Sequence, residues 1–374
     1  HATRCIPLIQ ALEKLNYQIY IATEGYHEAI LREALPNAHF LHLRGYRIKY
    51  AKIGALLPWA IFFQIPQIIY SIYYEYRWLQ KKQKELQFDM IISDNRFGFY
   101  HKNVPSVFIT HQLNFQMPYA WATPGFQKIQ YAWFKRFSAC WIPDMEGENN
   151  LSGILANTKL KPNIPIWYMG CLSRLKQYEP KEIAGHQEPI SFLGIVSGPE
   201  PQRTLLENLL WTKGNQLHLK FTVVAGTPKV KEAFQQNENA TKYPHLSGGD
   251  LVKEINRAEY IICRGGYTTL MELIPFEKKL ILIPTPGQTE QILLGKIWQE
   301  KKWALCYDQT DFKLSVALNE ASQFNYIKPP FTNFSSLRYA FIPGPLLSVT
   351  GFSLAPPTTI VVSAPLPSTL PFSA

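Results

Sequence analysis

Apolar and polar positions alternate in blocks along the chain. Short apolar runs that end in small or polar residues are followed by segments of helical periodicity. Such alternation is typical of α/β units with parallel strands. The predicted strands are residues 17–23, 89–94, 106–111 and 140–144 in the first half, and 190–197, 221–226, 260–264 and 280–285 in the second. The pattern predicts an α/β fold with two doubly wound, Rossmann-like domains.

Changes in composition mark the predicted domain boundaries. Residues 159–189 are rich in Pro, Lys and Gln and contain one apolar run, which indicates an interdomain connection. We predict a first domain over residues 1–165, a connection over 166–189 and a second domain over 190–330, with a central cleft between the domains. Residues 331–374 are dominated by Pro, Ser, Thr and Leu without lasting periodicity, which predicts a disordered C-terminal tail.

One segment of the first half is strongly apolar and aromatic, from Ile53 to Tyr76, and a basic stretch that ends at Lys84 follows it. Pro58 and Pro66 argue against a helix that spans a membrane. Two interpretations remain. The segment forms helices packed on the first domain, or the stretch Ile53 to Lys84 contacts an anionic membrane surface with its aromatic and basic side chains.

The charge and the cysteines limit the possible partners. The net charge of +10 favours anionic partners. No helix-turn-helix, RRM or zinc spacing accompanies that charge, so we expect no nucleic acid. The five cysteines are far apart and have no metal-binding spacing, which favours a reducing, cytoplasmic setting. A membrane contact would then lie on the inner face of the plasma membrane.

The sequence from Cys263 to Glu272 predicts a strand, a turn with two glycines and a helix that begins near Thr268. Unpaired amides at such a helix start suit phosphate, and the glycines let an anion approach the backbone. The candidate contacts are Arg264, Gly265, Gly266, Thr268 and Glu272. The alternative is an ordinary turn with a solvated helix after it.

Two further segments end a predicted strand in a turn. Residues 279–291 contain a buried strand and a Pro/Gly turn, and Glu290 with Gln291 open the next helix. An acid and an amide there suit sugar hydroxyls, although they are also common at any helix start. Residues 195–204 have the same plan, and their candidate contacts are Ser197, Gly198 and Arg203.

The run from Ile261 to Gln291 resembles the C-terminal domain of MurG-type, family 28 glycosyltransferases. These enzymes have the two-domain GT-B fold and bind UDP-sugars. The resemblance implies that Glu272 holds the ribose and that Glu290 with Gln291 contacts the donor sugar. It also implies that Arg264 and Gly266 lie near the diphosphate, and it makes residues 195–204 the first phosphate-facing loop.

The first residues, from His1 to Pro7, resemble the segment that follows the first strand of that family. The strand and its glycine loop are absent, so we expect the first domain to lack that strand. The resemblance makes His1 the leading candidate for the base that deprotonates the acceptor hydroxyl. Asp94 and His111 are further catalytic candidates because they end predicted strands, although caps and turns use the same residue types.

The resemblance implies inverting transfer of a hexose or N-acetylhexosamine from a UDP-sugar to a lipid-linked or glycan hydroxyl acceptor, in the synthesis of a cell-envelope glycan. The UDP-sugar is the co-substrate, and no other cofactor is expected. No Asp-x-Asp sequence marks a metal-diphosphate site, so we expect metal-independent chemistry. A UDP-sugar epimerase of the same architecture and an inactive nucleotide-sugar-binding remnant are the alternatives.

Overall fold

The computed structural model describes residues 2–45, 64–114, 123–158, 160–178, 188–227, 234–330 and 359–363. The chain divides into two compact units, His1–Leu172 with Asn333–Ala374, and Ser173–Thr332. The described strands of each unit form a seven-stranded sheet with helices packed on it. The predicted α/β fold with two Rossmann-like domains is confirmed.

The first unit alternates strands and helices as the sequence predicts. Its helices are α1 (Cys5–Lys14), α2 (Tyr26–Ala34), α3 (Ile65–Leu86) and α4 (Thr123–Phe134). Its strands are β1 (Gln18–Thr23), β2 (His39–His42), β3 (Met90–Asp94), β4 (Ser106–Ile109), β5 (Ala139–Ile142) and β6 (Ile166–Tyr168). Strand β6 pairs with β5, so these residues belong to the first sheet and not to the predicted connection.

The second unit repeats the plan. Its strands are β7 (Ile190–Ile195), β8 (Phe221–Val224), β9 (Gln235–Gln236), β10 (Ala240–Tyr243), β11 (Ala258–Cys263), β12 (Lys279–Leu282) and β13 (Ala304–Cys306). Its helices are α5 (Gln202–Gln216), α6 (Gly248–Arg257), α7 (Tyr267–Leu273), α8 (Thr289–Glu300) and α9 (Leu314–Gln323). The sheet order β13-β12-β11-β7-β8-β10-β9 places the three predicted ligand segments on adjacent strands.

A strand from the C-terminal tail, β14 (Thr359–Ser363), completes the first sheet. It lies between β1 and β3 and pairs parallel with both. Its residues Ile360, Val361 and Val362 are completely buried, because both faces of this central position are covered by apolar side chains. The prediction of a disordered tail therefore does not hold for these five residues. The rest of the tail lies outside the described residues.

Helix α3 occupies most of the aromatic and basic segment. Ile72, Glu75 and Leu79 form its buried face, and Arg96 donates to Glu75 at 2.6 Å inside the first unit. The packed-helix interpretation is thus confirmed for this part, while residues 53–63 lie outside the described residues. In the described ranges, no helix combines the length and the apolar character needed to cross a membrane.

Candidate functional site

Three turns of the second unit meet at one edge of its sheet. Strand β11 pairs parallel with β7 on one side and with β12 on the other, so their carboxyl ends are neighbours. A Cβ built on Gly198 would lie 3.5 Å from the Thr285 hydroxyl, and one built on Gly266 would lie 3.8 Å from the Gln291 amide nitrogen. The turns after β7, β11 and β12 are therefore in contact, as ligand sites of open parallel sheets require.

Two glycines are required by this arrangement. Gly198 has a φ of +108°, which side-chain-bearing residues rarely adopt. A Cβ on Gly265 would lie 3.1 Å from the carbonyl oxygen of Gln291, so a side chain there would push the two turns apart. Gly198 exposes its backbone at this edge, whereas Gly265 is buried. Helix α7 behind the second turn has seven residues.

Two threonine hydroxyls in these turns are buried and have no hydrogen-bond partner among the described residues. They belong to Thr268 and Thr285. Buried polar groups in folded proteins are nearly always paired with protein, water or ligand. Unpaired buried atoms also occur on Glu13, Gln130, Trp141, Asn150 and Trp167, so it is the place of the two threonines beside the glycine turns that makes them candidate contacts for a polar ligand.

Arg264 does not point to an open phosphate site. Its side chain is fully buried, and Nη1 donates to the carbonyl oxygen of Ile283 at 3.1 Å and to Oε1 of Gln309 at 2.7 Å. Nη2 donates to the carbonyl oxygen of Gln202 at 2.5 Å. These donors hold the start of α5 and the end of β12 together, and the placement of Arg264 near the diphosphate stays a prediction.

Arg203 is also used inside the unit. Its Nη1 donates to Oε2 of Glu207 at 2.9 Å and to the carbonyl oxygen of Ala225 at 3.0 Å, and its Nε donates to Glu200 at 2.7 Å. A guanidinium with two carboxylate partners has little left to offer a phosphate. The geometry argues against Arg203 as a contact of the nucleotide sugar. At the turn before it, Ser197 is half-buried and Gly198 is exposed.

Glu272 has a partner that the sequence interpretation missed. Arg174 donates from Nε to Oε1 of Glu272 at 3.1 Å, and the Ser173 hydroxyl donates to the Glu272 carbonyl oxygen at 3.1 Å. The side chains of both ion-pair partners are mostly buried, with 16% and 10% exposure. The sequence offered one signal, an arginine three residues after the apolar run of the predicted connection. Only the fold brings it to the helix.

The predicted sugar-binding pair has two different environments. Oε1 of Gln291 accepts from the Thr285 backbone amide at 2.8 Å, and its nitrogen donates to Gln288. The side-chain amide of Gln291 therefore holds the turn after β12 closed. A sugar could use only the hydrogen-bonding positions of this amide that the two contacts leave over. Glu290 is half-buried at the start of α8.

The catalytic candidates of the first unit lie in a buried network around Arg4. The guanidinium makes a two-pronged ion pair with Asp94, with Nε at 2.9 Å, and Nη1 donates to Nδ1 of His111 at 2.9 Å. The Cys5 thiol donates to the same carboxylate at 3.0 Å. All these side chains are at most 2% exposed.

This network involves two of the predicted catalytic residues, Asp94 and His111, whose catalytic role stays a prediction. Asp94 is enclosed and already neutralised by Arg4. The ring nitrogen of His111 that faces Arg4 acts as an acceptor, because a guanidinium can only donate. Neither group offers an open basic site to an acceptor hydroxyl in this arrangement. His1, the leading candidate, lies outside the described residues.

Comparisons with known proteins agree with this geometry. Residues 203–326, which carry the turns after β11 and β12 but not the turn after β7, match the family described as the glycosyltransferase family 28 C-terminal domain. No curated protein sequence matches the chain.

Solved glycosyltransferases share the fold over almost the whole chain. The calicheamicin glycosyltransferase CalG4 is 10% identical with a TM-score of 0.62, over 94% of this chain and 96% of that one. The glycosyltransferase of kitacinnamycin is 12% identical with a TM-score of 0.59, over 94% and 92%. SnogD from Streptomyces nogalater is 12% identical with a TM-score of 0.56, over 91% and 95%. The domain match and this shared GT-B fold support glycosyltransferase activity.

Proposed function

We propose that this chain transfers a hexose or N-acetylhexosamine from a UDP-sugar to a hydroxyl of a lipid-linked or glycan acceptor, with inversion and without a metal. The observation that carries the proposal is the pair of buried, unpartnered hydroxyls at Thr268 and Thr285, set where three strand-end turns meet. The family 28 domain match over residues 203–326 supports a nucleotide sugar as the ligand.

The donor is proposed to lie across these turns. Glu272 accepts from the ribose diol with the oxygen that Arg174 leaves unused, so that the ion pair orients the carboxylate. The diphosphate lies over Gly265 and Gly266, where the two threonine hydroxyls and the turn amides donate to it. Glu290 contacts the sugar from the start of α8.

The base is proposed to be His1. In the buried network, Asp94 and His111 are both paired with Arg4. Arg4 follows His1 by three residues, so these bonds fix the chain close to the proposed base. A neutral imidazole is suited to remove a hydroxyl proton near neutral pH. The metal-independent route needs the leaving UDP to be stabilised by fixed donors, which the glycine turns and hydroxyls would provide.

A membrane contact is proposed for one stripe of helix α3. The stripe is exposed and changes along the helix from apolar to basic. Its apolar part is Ile65, Ile69, Tyr70 and Tyr73, and its basic part is Arg77, Lys81 and Lys84. Tyr70 is 61% exposed and Tyr73 is 56% exposed, which is unusual for rings on a helix of 22 residues. Such a stripe suits an anionic membrane surface that carries a lipid-linked acceptor.

Replacing one unpartnered hydroxyl tests the donor site. Thr285→Val keeps the side-chain shape and removes a buried hydroxyl that lacks a protein partner, so folding stability should stay the same or rise. UDP affinity, measured by calorimetric titration, should fall about fivefold, the value of about 1 kcal/mol for one hydrogen bond. Thr241→Val, on the half-buried strand β10, is the matched control and should change neither quantity.

The reaction itself is assayed with a panel of UDP-sugars. Transfer predicts UDP release that depends on an added acceptor, whereas an epimerase converts the donor without one. If Thr285→Val bound UDP as tightly as the unchanged chain, the proposed place of the diphosphate would be wrong. Epimer formation without an acceptor would contradict the transfer reaction while leaving the binding site intact.

A further inference from the structure

Strand β14 enters the first sheet from the far end of the chain. It lies between β1 and β3 and pairs parallel with both, although the last described residue before it is Pro330 of the second unit. Neither of the strands that it joins is next to it in the sequence. Its place in the sheet therefore depends on non-local contacts, as the place of a bound peptide does.

The first unit holds both ends of β14. Asp89, just before β3, donates its backbone amide to the carbonyl oxygen of Thr359 at 2.8 Å, and its carboxylate accepts from the Thr359 amide at 2.8 Å. At the other end, the Asp94 amide donates to the Ser363 hydroxyl at 3.1 Å. Contacts at both ends fix the register of the inserted strand, and the register decides which side chains face each core.

The groove between β1 and β3 is costly to leave empty. Ile360 and Val362 complete the core on one face of the sheet, and Val361 completes the core on the other. Without the strand, both cores and the backbone groups of the two neighbouring strands would be open. The free strand would expose three apolar, β-branched residues of its five. Groove and strand are therefore each incomplete without the other.

The connection to β14 is long enough to reach more than one groove. Residues 331–358 join the strand to the last described residue of the second unit. An extended chain covers about 3.3–3.6 Å per residue, so this connection can span up to about 90–100 Å. A compact unit of this size is expected to be roughly 40 Å across. The strand can therefore enter the groove of its own chain or that of another copy.

We propose that this groove is an interaction site for a second copy of the chain, and that two copies associate by exchanging β14. The inference does not depend on the proposed function. In the exchanged pair, each groove takes the Thr359–Ser363 strand of the other copy in the same register, and the hydrogen bonds and apolar contacts are kept. Exchange of an identical element is for this reason a low-cost route to a dimer. The chain's own strand competes at an effective concentration that is at most on the order of millimolar, so exchange should increase with chain concentration.

Two single-cysteine chains give the sharpest test. Val361 of β14 and Ile91 of β3 are partners in register, so cysteines at these two positions lie within reach of a disulfide. A Val361→Cys chain and an Ile91→Cys chain are unfolded, mixed, refolded together and oxidised. The two cysteines meet in register only when β14 of one copy lies in the groove of the other. The yield of this disulfide, from mass spectrometry of the linked peptides, should rise about tenfold for a tenfold higher chain concentration while most strands stay in their own chain.

Strands β4 and β5 supply the matched control. Val107 and Ala139 are also fully buried partners in register, but on strands that follow each other in the sequence. A mixture of Val107→Cys and Ala139→Cys chains should give only the background of random oxidation, which includes the native cysteines. One chain that carries both Val361→Cys and Ile91→Cys should link within itself when refolded at low concentration, which checks the geometry of the pair.

A second measurement uses no cysteines. Val361→Asp disables the strand of one copy and Ile91→Asp disables the groove of another, because each places an ion at a fully buried position. Refolded alone, each chain should show the urea transition of its first unit shifted strongly to lower urea. Refolded together at high concentration, part of the signal should return to the transition of the unchanged chain, because the groove of the first variant accepts the strand of the second.

Two results would overturn the exchange. One is a Val361→Cys and Ile91→Cys mixture that gives no more covalent dimer than the control mixture, although the doubly substituted chain links within itself. The other is a mixture of the two aspartate variants that unfolds as the sum of the separately refolded chains. In either case β14 is confined to its own chain, and the proposed nucleotide-sugar site of the second unit is unaffected.

Discussion

The two units have the same kind of sheet, and each has a fully buried arginine near the carboxyl edge of that sheet. The partners of the two arginines differ. In the first unit, Arg4 is paired with the carboxylate of Asp94 and with His111. In the second unit, the partners of Arg264 among the described residues are neutral oxygen atoms. A compensated guanidinium closes its site against anions, and an uncompensated one leaves a field that an anion can use. The difference is consistent with the proposal that the second unit binds the nucleotide sugar.

The two units also differ in which groups they expose to solvent. The charges of the first unit are neutralised inside, whereas helix α3 exposes apolar rings and a basic end to the outside. Buried side-chain atoms without a hydrogen-bond partner occur in both units of the described chain, and those of the second unit, on Arg264, Thr268 and Thr285, lie beside the strand-end turns. The comparison is the basis of two proposals, that the first unit contacts a membrane surface and that the second unit binds a small polar ligand. Four substitutions can break or sharpen it.

The largest effect is expected from a charge in the central strand of the first unit. Val361 lies in register between Tyr20 and Ile91 and is fully buried, so Val361→Asp places an unpaired ion there at a cost of several kcal/mol. That is a large part of the roughly 5–15 kcal/mol that stabilises a typical domain. In urea unfolding followed by tryptophan fluorescence, the transition of the first unit should move strongly to lower urea.

UDP titration of the same variant tests the independence of the units, since binding by the second unit should persist. Gln18→Asp is the control, because it places the same charge at an exposed position on the neighbouring strand β1. A first-unit transition unchanged in Val361→Asp would mean that β14 contributes nothing to the sheet.

Breaking the compensated pair should have the next largest effect. Arg4→Ala leaves the Asp94 carboxylate buried without its partner, which typically costs about 3–5 kcal/mol. The free energy of unfolding of the first unit from urea titration is the measurement. Arg32→Ala is the control, because Arg32 pairs with Glu28 at the surface and should cost about 0.5 kcal/mol or less. Equal losses of unfolding free energy in both variants would show that the buried ion pair of Arg4 contributes no more than an ion pair at the surface.

The third effect concerns the ligand site itself. Glu272→Ala removes the proposed ribose acceptor and should weaken UDP binding by about 1.5–3 kcal/mol, as for hydrogen bonds to charged groups. Glu277→Ala is the matched control, since that carboxylate pairs with Lys328 at the surface a few residues further on. Calorimetry with UDP measures both. Wild-type affinity in Glu272→Ala would show that the ion pair with Arg174 is only structural.

The smallest effect is expected at the surface of the first unit. Ile69→Ser removes one apolar side chain from the stripe of α3 and should reduce partition onto anionic vesicles by about 1 kcal/mol, since full burial of such a side chain is worth about 1.5–3 kcal/mol. Vesicle flotation is the measurement, and added salt should weaken it further through screening of the basic part. Ile129→Ser changes an isoleucine of similar exposure on α4 and should have no effect. Equal flotation of both variants and the unchanged chain would return α3 to a packing role.

Local patterns in the sequence were sufficient to predict the strands and the turns that follow them. All eight predicted strands are present with bounds that shift by three residues or fewer, because apolar runs bounded by turn residues carry both the period and the ends of a buried strand. The glycine turn before α7 and the turn before α8 were predicted for the same reason. Their meeting at one sheet edge followed from the parallel order of the strands.

Only the tertiary structure decided which polar side chains are already hydrogen-bonded within the fold and which are available to a ligand. Arg264, Asp94 and His111 all stand at strand exits in the sequence, yet each is hydrogen-bonded to a residue far along the chain. Arg174 entered the site only because the fold returns it to Glu272. Strand β14 has no neighbour in sequence among the strands it joins, since its pairing crosses more than 250 residues to reach β3. Hydrogen bonds and ion pairs at such separations depend on the completed fold, and a local pattern contains no record of them.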